Sequence, residues 1–404
     1  MGRRVAYWRG RRGMSQQVFA DRLSKSKSWV DKIERGVRRL DKYSVITEIA
    51  AVLQIDAGQL VTSEPAHKPH HITLLDQIEI ENIRQSLERY ERLGLFLDAA
   101  EIEAPDLAVL RNQVAYTWSA YEKGHYPNVT RSLIELLRTV PAAESNAEGA
   151  EKAGAAELVS QVYQISSSVL RKIGESALAW LAADRAISAA NRGDDELLVG
   201  TSATRVANAL RSQGRHDAAF DINIQVAHGM ISHYRDAADP ETLSVYGLLL
   251  LQGAMAASHT GDTASTRDLL SSAEKAAQRL GGDADYYWTS FGPTNVELHK
   301  VAAHIELGEG HAAVQTAEKI PPQALDNLVA ERRAHHHLDL SRACLQTGDM
   351  ERAKANILTA HAIAPAEIQC RPIAMDVVEQ ILNRYRGEPG SALRRLASEV
   401  GVSA

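Results

Sequence analysis

Apolar residues recur along the chain at helical rather than strand spacing. Gly13-Met14-Ser15 interrupts a first basic stretch, and Ser15 is placed to cap a helix, Gln16-Gln17-Val18-Phe19-Ala20-Asp21-Arg22-Leu23. After the polar run Ser24-Lys25-Ser26 comes a second helix, Lys27-Ser28-Trp29-Val30-Asp31-Lys32-Ile33-Glu34-Arg35, which Gly36 stops. Val18, Ala20, Leu23, Val30 and Ile33 are expected to share one small core, leaving Lys27, Ser28, Lys32 and Arg35 facing outward. A third run, Val45 to Leu53, and the segment Asp56 to Leu60 close that core. Two short helices with a tight turn and a basic outer face form a helix-turn-helix, whose second helix enters the major groove of DNA.

Residues 62–71, TSEPAHKPHH, hold two prolines and three histidines and read as a linker. His67, His70 and His71 lack the Cys or carboxylate that would complete a metal site, so no metal is expected. Beyond the linker a longer pattern repeats over 72–404. A helical stretch ends in glycine, and a small residue follows five positions later. The glycines are Gly124, Gly174, Gly214, Gly261, Gly308 and Gly348, at intervals of 50, 40, 47, 47 and 40. Val129, Ala179, Ala219, Thr266, Ala313 and Ala353 fill the small slot. Periods of this length mean stacked helix pairs in a solenoid. Pro141 and Pro365 each fall 17 residues after their glycine and are expected to end second helices. Ala142 to Glu157 (AAESNAEGAEKAGAAE) reads as a low-complexity loop that inflates the first interval. Thr73 to Glu101 reads as a preceding helix pair, and Met375 to Val400 as a cap.

Composition agrees with an all-α chain. Aromatics are 5% of the residues and alanine is in surplus, which favours close-packed helices over sheets. The formal charge of −6 is unevenly divided. Residues 1–61 carry 13 Lys+Arg against 6 Asp+Glu, or +7, which leaves 32 against 45, or −13, for the remainder. A basic head on an acidic body confines polyanion binding to the head. No run of about 18 apolar residues and no apolar leader occurs, so no membrane partner is expected. The two cysteines, Cys344 and Cys370, form no disulfide framework and fit a reducing cytoplasm. No P-loop, G-x-G-x-x-G, H-E-x-x-H, C-x-x-C or G-x-S-x-G stands in a supporting context, which argues against an enzyme or a cofactor. His335-His336-His337 lie consecutively in a helix and point in different directions, so they do not converge on one ion.

The string MSQQVFADRLSKSKSWVDKIERGVRRLDKYSVITEIAAVLQIDAGQL resembles the Cro/repressor-type (XRE) helix-turn-helix family, with S-Q-x-x-x-A-x-x-L, V-x-x-I-E-R-G and I-A-x-x-L in order. The resemblance implies a five-helix domain over 1–61 that binds double-stranded DNA. By position it makes Gln16 a phosphate anchor and puts Lys27, Ser28 and Lys32 at base edges, with Arg38 and Arg39 holding backbone. Gln17, Lys25, Trp29 and Arg35 complete the DNA-facing set, though Trp29 also suits a core position. Where some members carry glutamines this chain has Lys27 and Lys32, which favours guanine.

Leu340-Ser341-x-x-Cys344-x-x-x-Gly348, with Ala353, Ile357, Ala360 and Pro365, resembles the tetratricopeptide repeat. Cys344 then sits at a packing position as a buried hydrophobe. Asp285-Tyr286-Tyr287-Trp288-Thr289-Ser290-Phe291-Gly292-Pro293-Thr294-Asn295 resembles a feature of actinobacterial XRE regulators with a TPR-like body. This aromatic cluster either anchors a ligand or partner, or plugs a gap between repeats.

Together the architecture resembles TPR-containing, peptide-pheromone-responsive regulators of Gram-positive bacteria. It implies a transcription regulator whose body senses a peptide or small molecule and forms a homodimer on a palindromic operator. The alternatives are a TPR interaction scaffold, or an inhibitor of a signalling protein with an accessory head. If first helices line the concave side, positions 13, 10, 6 and 3 before each glycine point inward. The candidate ligand contacts are then Arg111, Trp118, Tyr121, Gln161, Gln164, Arg171, Thr204, Asn208, Arg211 and Asn295, polar in the early repeats. The late positions, including Leu338 and Leu345, are read as an apolar floor.

Overall fold

The computed structural model describes residues 2, 5, 6, 9, 14–23, 25–35, 43–53, 77–88, 105–149, 151–233, 239–385 and 388–402. Among them all regular structure is helical, and the chain divides into two compact units, Met1–His70 and His71–Ala404.

In the first unit α1 (Gln16–Arg22) and α2 (Lys27–Glu34) meet across the turn, with α3 (Tyr43–Leu53) completing the core. Both turn helices start on a serine cap: Val18 N–H donates to Ser15 Oγ at 3.2 Å and Trp29 N–H to Ser26 Oγ at 3.1 Å. Val5, Phe19, Ala20, Leu23, Val30, Ile33, Ile49 and Leu53 are buried together. Val18, expected inside, is 44% exposed. The buried stripe runs through 19, 20 and 23, and one residue's shift on a helix is enough to turn Val18 outward. The segment Asp56 to Leu60, the linker 62–71, Arg38 and Arg39 lie outside the described residues.

The second unit begins with α4 (Gln77–Glu88) and continues as helix pairs. These are α5 (Leu107–Glu122) with α6 (Tyr126–Asn146), α7 (Glu151–Lys172) with α8 (Ser176–Ala190), and α9 (Glu196–Ser212) with α10 (His216–His233). Then come α11 (Pro240–Thr260) with α12 (Thr263–Leu280), and α13 (Pro293–Glu306) with α14 (Gly310–Ala317). A short α15 (Pro322–Asp326) leads to α16 (Ala330–Thr347) with α17 (Met350–Ile363). The helices α18 (Pro365–Gln369), α19 (Pro372–Arg384) and α20 (Ser391–Glu399) close the array.

All six repeat glycines have φ between 71° and 85°, the left-handed conformation that ends a helix and strains any residue with a Cβ. All six small-slot residues are buried, which is what lets the second helix of each pair approach the first. This is a TPR-like α-solenoid.

Two local expectations fail. Pro141 lies inside α6 rather than ending it, and the low-complexity segment is largely helical, breaking only between Asn146 and Glu151. Alanine and glutamate are strong helix formers, and Pro141 is itself buried in the α6 contact face, so packing carries the helix past it. Pro365 opens α18 at a position where its missing N–H costs nothing.

The array also folds back on itself. The backbone at Gly124 stands close enough to Ala364, and that at Gly174 to Pro372, that an added Cβ would lie 3.1 and 3.2 Å from their side chains. The first two helix pairs therefore contact the last elements directly.

Candidate functional site

In the head, α2 exposes Lys27, Ser28, Lys32 and Arg35 on one side, with Lys25 exposed just before it. Opposite them Glu34, 9% exposed, collects three donors. Arg9 reaches it with Nε at 2.5 Å and Nη2 at 3.1 Å, and Gln16 Nε2 donates at 2.7 Å. Arg9 Nη1 also donates to the Met14 carbonyl at 2.7 Å. One carboxylate thus ties the start of α1 to the end of α2 and fixes how α2 is presented. The sequence reading missed this pair; the available signal was an acidic residue beside Ile33 on the inward stripe, which needs a partner when buried. Gln17 is exposed and donates to Asp21 at 2.8 Å, and Arg35 pairs with Asp31 at 3.4 Å. Trp29 is half-buried against the core, its ring centroid 6.0 Å from Lys25 Nζ, which favours the packing role.

In the body, the first helices of the pairs converge on one polar interior. Its first part is a compensated ionic cluster. Lys172 Nζ lies 2.5 Å from Glu331 and 2.7 Å from Glu367, and Arg371 contacts both carboxylates. The Tyr126 hydroxyl donates to Glu367. Burial would raise the Glu331 carboxyl, but the charges of Lys172, Arg332 and Arg371 hold it well below the usual range. Burial, then Arg371, keeps His335 neutral by pushing its pKa well below normal. Glu331, His335 and Glu367 stand within 4.8 Å of one another in a manner that suits a cation, yet the Lys172 ammonium already supplies that charge. Nearby, Glu306 takes Arg342 at 2.8 Å and His259 at 2.9 Å, and Arg342 also reaches Asp339 at 3.1 Å.

The second part is different in kind. Arg171, Arg205 and Arg211 project from α7 and α9, and among the described residues none has a carboxylate within salt-bridge distance. Burial, the largest cause, lowers Arg205 and Arg211 to about 10, and neighbouring Arg171 contributes to both shifts. All three remain cations at neutral pH. Arg211 Nη2 donates only to neutral amides, Asn208 Oδ1 at 3.1 Å and Gln252 Oε1 at 3.2 Å. Arg205 lies 5.6 Å from the Trp118 ring centroid, and its buried Nε has no partner.

From Arg211 a chain of polar contacts continues inward. Gln252 meets His299 Nε2 at 3.4 Å, His299 Nδ1 donates to the Asn295 carbonyl at 2.9 Å, and Asn295 Nδ2 donates to the Ser290 carbonyl at 2.8 Å. Burial, then Arg332, lowers His299 to about 3, so it is neutral throughout the working range.

The aromatic segment reaches this interior. Trp288 stacks on Trp118 with centroids 4.8 Å apart and planes 11° from parallel, and Tyr287 Oη donates to Asp195 at 2.8 Å. Beneath them the Glu122 carboxyl is pushed up to about 8 by burial, by sharing a proton with Asp285, and by repulsion from Asp285 and Glu331.

The predicted groove residues therefore fall into several places. Trp118, Tyr121, Arg171, Asn208, Arg211 and Asn295 come together in this interior. Gln164 is 1% exposed and spends its amide on Ser202 Oγ at 2.9 Å and Thr201 Oγ1 at 3.2 Å, between α7 and α9. Thr204 is fully buried and bonded to the Thr201 carbonyl. Neither faces a ligand. Arg111 is exposed beside Gly154, and Gln161 is half-buried. The apolar floor expected of the late repeats is absent on α16. Leu338 and Leu345 turn into the core with Cys344, while Glu331, His335, Asp339 and Arg342 face the interior. Arg205, missed from sequence, lies three residues before Asn208 on the same face of α9, so helical periodicity could have found it. A surface hollow of 330 Å³ between α5 and α6, containing Tyr116, Asn112 and Glu135, lies on the face of α5 opposite Trp118.

Among the described residues no helix is long and apolar enough to cross a membrane. No curated protein matches the chain. Among solved structures, PlcR of Bacillus thuringiensis in complex with the peptide PapR7 and DNA is similar at 14% identity, over 91% of this chain and 98% of that chain, with a TM-score of 0.30. Residues 1–61 match the family model described as a helix-turn-helix domain, and with the capped α1–turn–α2 geometry they are a helix-turn-helix domain of the XRE type.

Proposed function

We propose that the protein is a DNA-binding transcription regulator whose solenoid senses an anionic effector, a peptide carboxylate or a small molecule, in the interior lined by Arg171, Arg205 and Arg211. The carrying observation is that the chain combines that head with a body in which three guanidiniums have, among the described residues, no carboxylate within salt-bridge distance, only the longer-range attraction of Glu306, Glu331 and Glu367. A desolvated cation without a counter-ion is costly to keep, and a bound anion would remove the cost.

Lys27, Ser28 and Lys32 read bases, and Lys25 and Arg35, with Arg38 and Arg39, hold phosphates. One recognition helix covers too few base pairs for genomic specificity, so the protein acts as a homodimer on two related half-sites of a palindrome. Effector binding acts by favouring one arrangement of the two heads over another. The test is selection of bound fragments from genomic DNA by the purified full chain, followed by titration of the selected duplex with Lys32→Ala. The expected loss is about 1–3 kcal/mol, confined to the selected sequence. A protein that binds all fragments alike, or a Lys32→Ala loss equal on every sequence, would count against sequence reading by α2.

A further inference from the structure

The segment 283–294 has a fixed base and a strained tip. At the base, Phe291 is fully buried in a notch that only glycine leaves open: a Cβ at Gly247 would lie 1.9 Å from Phe291 Cζ. Ala284 N–H donates to the Phe291 carbonyl at 2.9 Å, and Thr294 N–H to Asp283 Oδ1 at 2.9 Å.

The tip is built otherwise. Tyr287, Trp288 and Ser290 have φ of 53°, 54° and 47°, left-handed backbone that residues with a Cβ rarely adopt. Such strain persists only where the surroundings hold it. Ser290 is held locally, its N–H donating to Asp285 Oδ1 at 2.7 Å and its carbonyl accepting from Asn295, whereas the side chains of Tyr287 and Trp288 are held from outside the segment by the Tyr287–Asp195 hydrogen bond and the Trp288–Trp118 stack. Trp288 is half-buried, whereas Trp118 is 1% exposed, with its indole N–H unpartnered. A flat, buried ring with an unused donor, beside a guanidinium that has no carboxylate within salt-bridge distance, is covered by a side chain whose own backbone is strained.

We propose that the face of Trp118 now covered by Trp288 is a recognition subsite for the planar aromatic ring of an anionic effector, and that Trp288 is its resident competitor. This rests on the effector-sensing reading above and specifies the ligand: a ring that stacks on Trp118 and a carboxylate or other anion that reaches Arg205 and Arg211. Entry of the ring expels Trp288 and lets Tyr287, Trp288 and Ser290 leave the left-handed region. The expulsion is read out along the Ser290–Asn295–His299–Gln252–Arg211 chain.

The test uses the full chain and three probes: N-acetyltryptophan, its amide, which lacks the anion, and N-acetylleucine, which lacks the ring. Titration calorimetry should show N-acetyltryptophan binding Trp288→Ala about tenfold or more tighter than the unaltered protein, because a subsite filled by its own side chain is available only a fraction of the time. The amide and the leucine analogue should each bind about tenfold more weakly than the acid, and Trp118→Ala should lose binding altogether.

In the unaltered protein, the circular-dichroism couplet of the stacked indoles should fade as N-acetyltryptophan saturates, a readout that needs no variant to fold. Trp288→Leu, which keeps apolar bulk without the ring, should behave as Trp288→Ala. Equal affinity in the unaltered protein and both Trp288 variants, or equal binding of acid and amide, would overturn the proposal. Binding as expected with operator affinity unmoved would uphold the subsite while removing its role as a sensor. Absence of probe binding would remove the subsite while leaving DNA recognition by the head intact.

Discussion

The body holds two sets of cations in its interior, one buried and one partly buried, and they are treated in opposite ways. Lys172 and Arg371 are held between Glu331 and Glu367, with Tyr126 completing the shell. Of the second set, Arg211 has neutral amides and Arg205 an indole face, and among the described residues Arg171 too has no carboxylate within salt-bridge distance. The first set joins residues separated by 159 to 241 positions and closes the solenoid's first repeats onto its last. Removing any one carboxylate there leaves a buried charge exposed to its neighbours. The second set joins nothing distant through charge. A buried ion pair serves the fold, while the second set, on the proposal above, serves a ligand that brings the opposite charge.

The largest expected effect therefore lies in the compensated set. Glu367→Gln should destabilise the body by about 3–5 kcal/mol, because Lys172 and Arg371 are left to share the single carboxylate of Glu331. Urea unfolding measures this, and a loss below about 1 kcal/mol would mean the closure contributes little. In the head Glu34 plays the corresponding part for Arg9 and Gln16. Glu34→Ala should cost the helix-turn-helix about 1–3 kcal/mol in the same experiment, since the partly buried side chains of Arg9 and Gln16 are left without their acceptor.

Arg205→Met should do the reverse of Glu367→Gln. Removing a partly buried cation that has no direct ion pair should stabilise the free protein by about 1 kcal/mol while abolishing binding of the anionic probe. If Arg205→Met destabilises as strongly as Glu367→Gln, the distinction between the two sets is lost.

A pH-dependent effect concerns Glu122. Its carboxyl stands at about 8 in the fold against an ordinary 4.5, so from pH 4.5 to 8 the unfolded chain has released a proton that the folded chain retains. Its contribution is fully present below pH 4.5 and declines as pH rises through 8. Glu122→Gln should remove that decline, leaving a flatter stability profile between pH 6 and pH 8 than the unaltered protein, measured by thermal melts across the range. Identical slopes in the two proteins would show that Glu122 ionises normally.

Much of the fold was legible because it depends on single residues acting locally. A glycine in left-handed backbone ends a helix wherever it stands, and a small residue five positions on admits the partner helix. Serine caps and a basic outer face made the helix-turn-helix readable for the same reason. Gln164 shows where such reading stops. It sits at the spacing of an inward-facing position, but the rotation of α7 against α9 points its amide at Ser202 and Thr201. On α16 a similar rotation sends Leu338 to the core and Asp339 to the interior. Helical spacing defines a face only up to that rotation, which neighbouring helices set.

By itself the sequence determined the helical class, the division into a basic head and an acidic repeat body, and the punctuation of the repeats. These follow from residue chemistry within one or two helical turns. Only the tertiary structure decided which buried charges have partners. Lys172 and Glu367 are 195 residues apart, and Trp118 and Trp288 meet through a loop whose backbone no propensity would favour. Superhelical curvature accumulates small rotations over many pairs, so whether a carboxylate or a ligand faces a given arginine is settled where distant repeats meet.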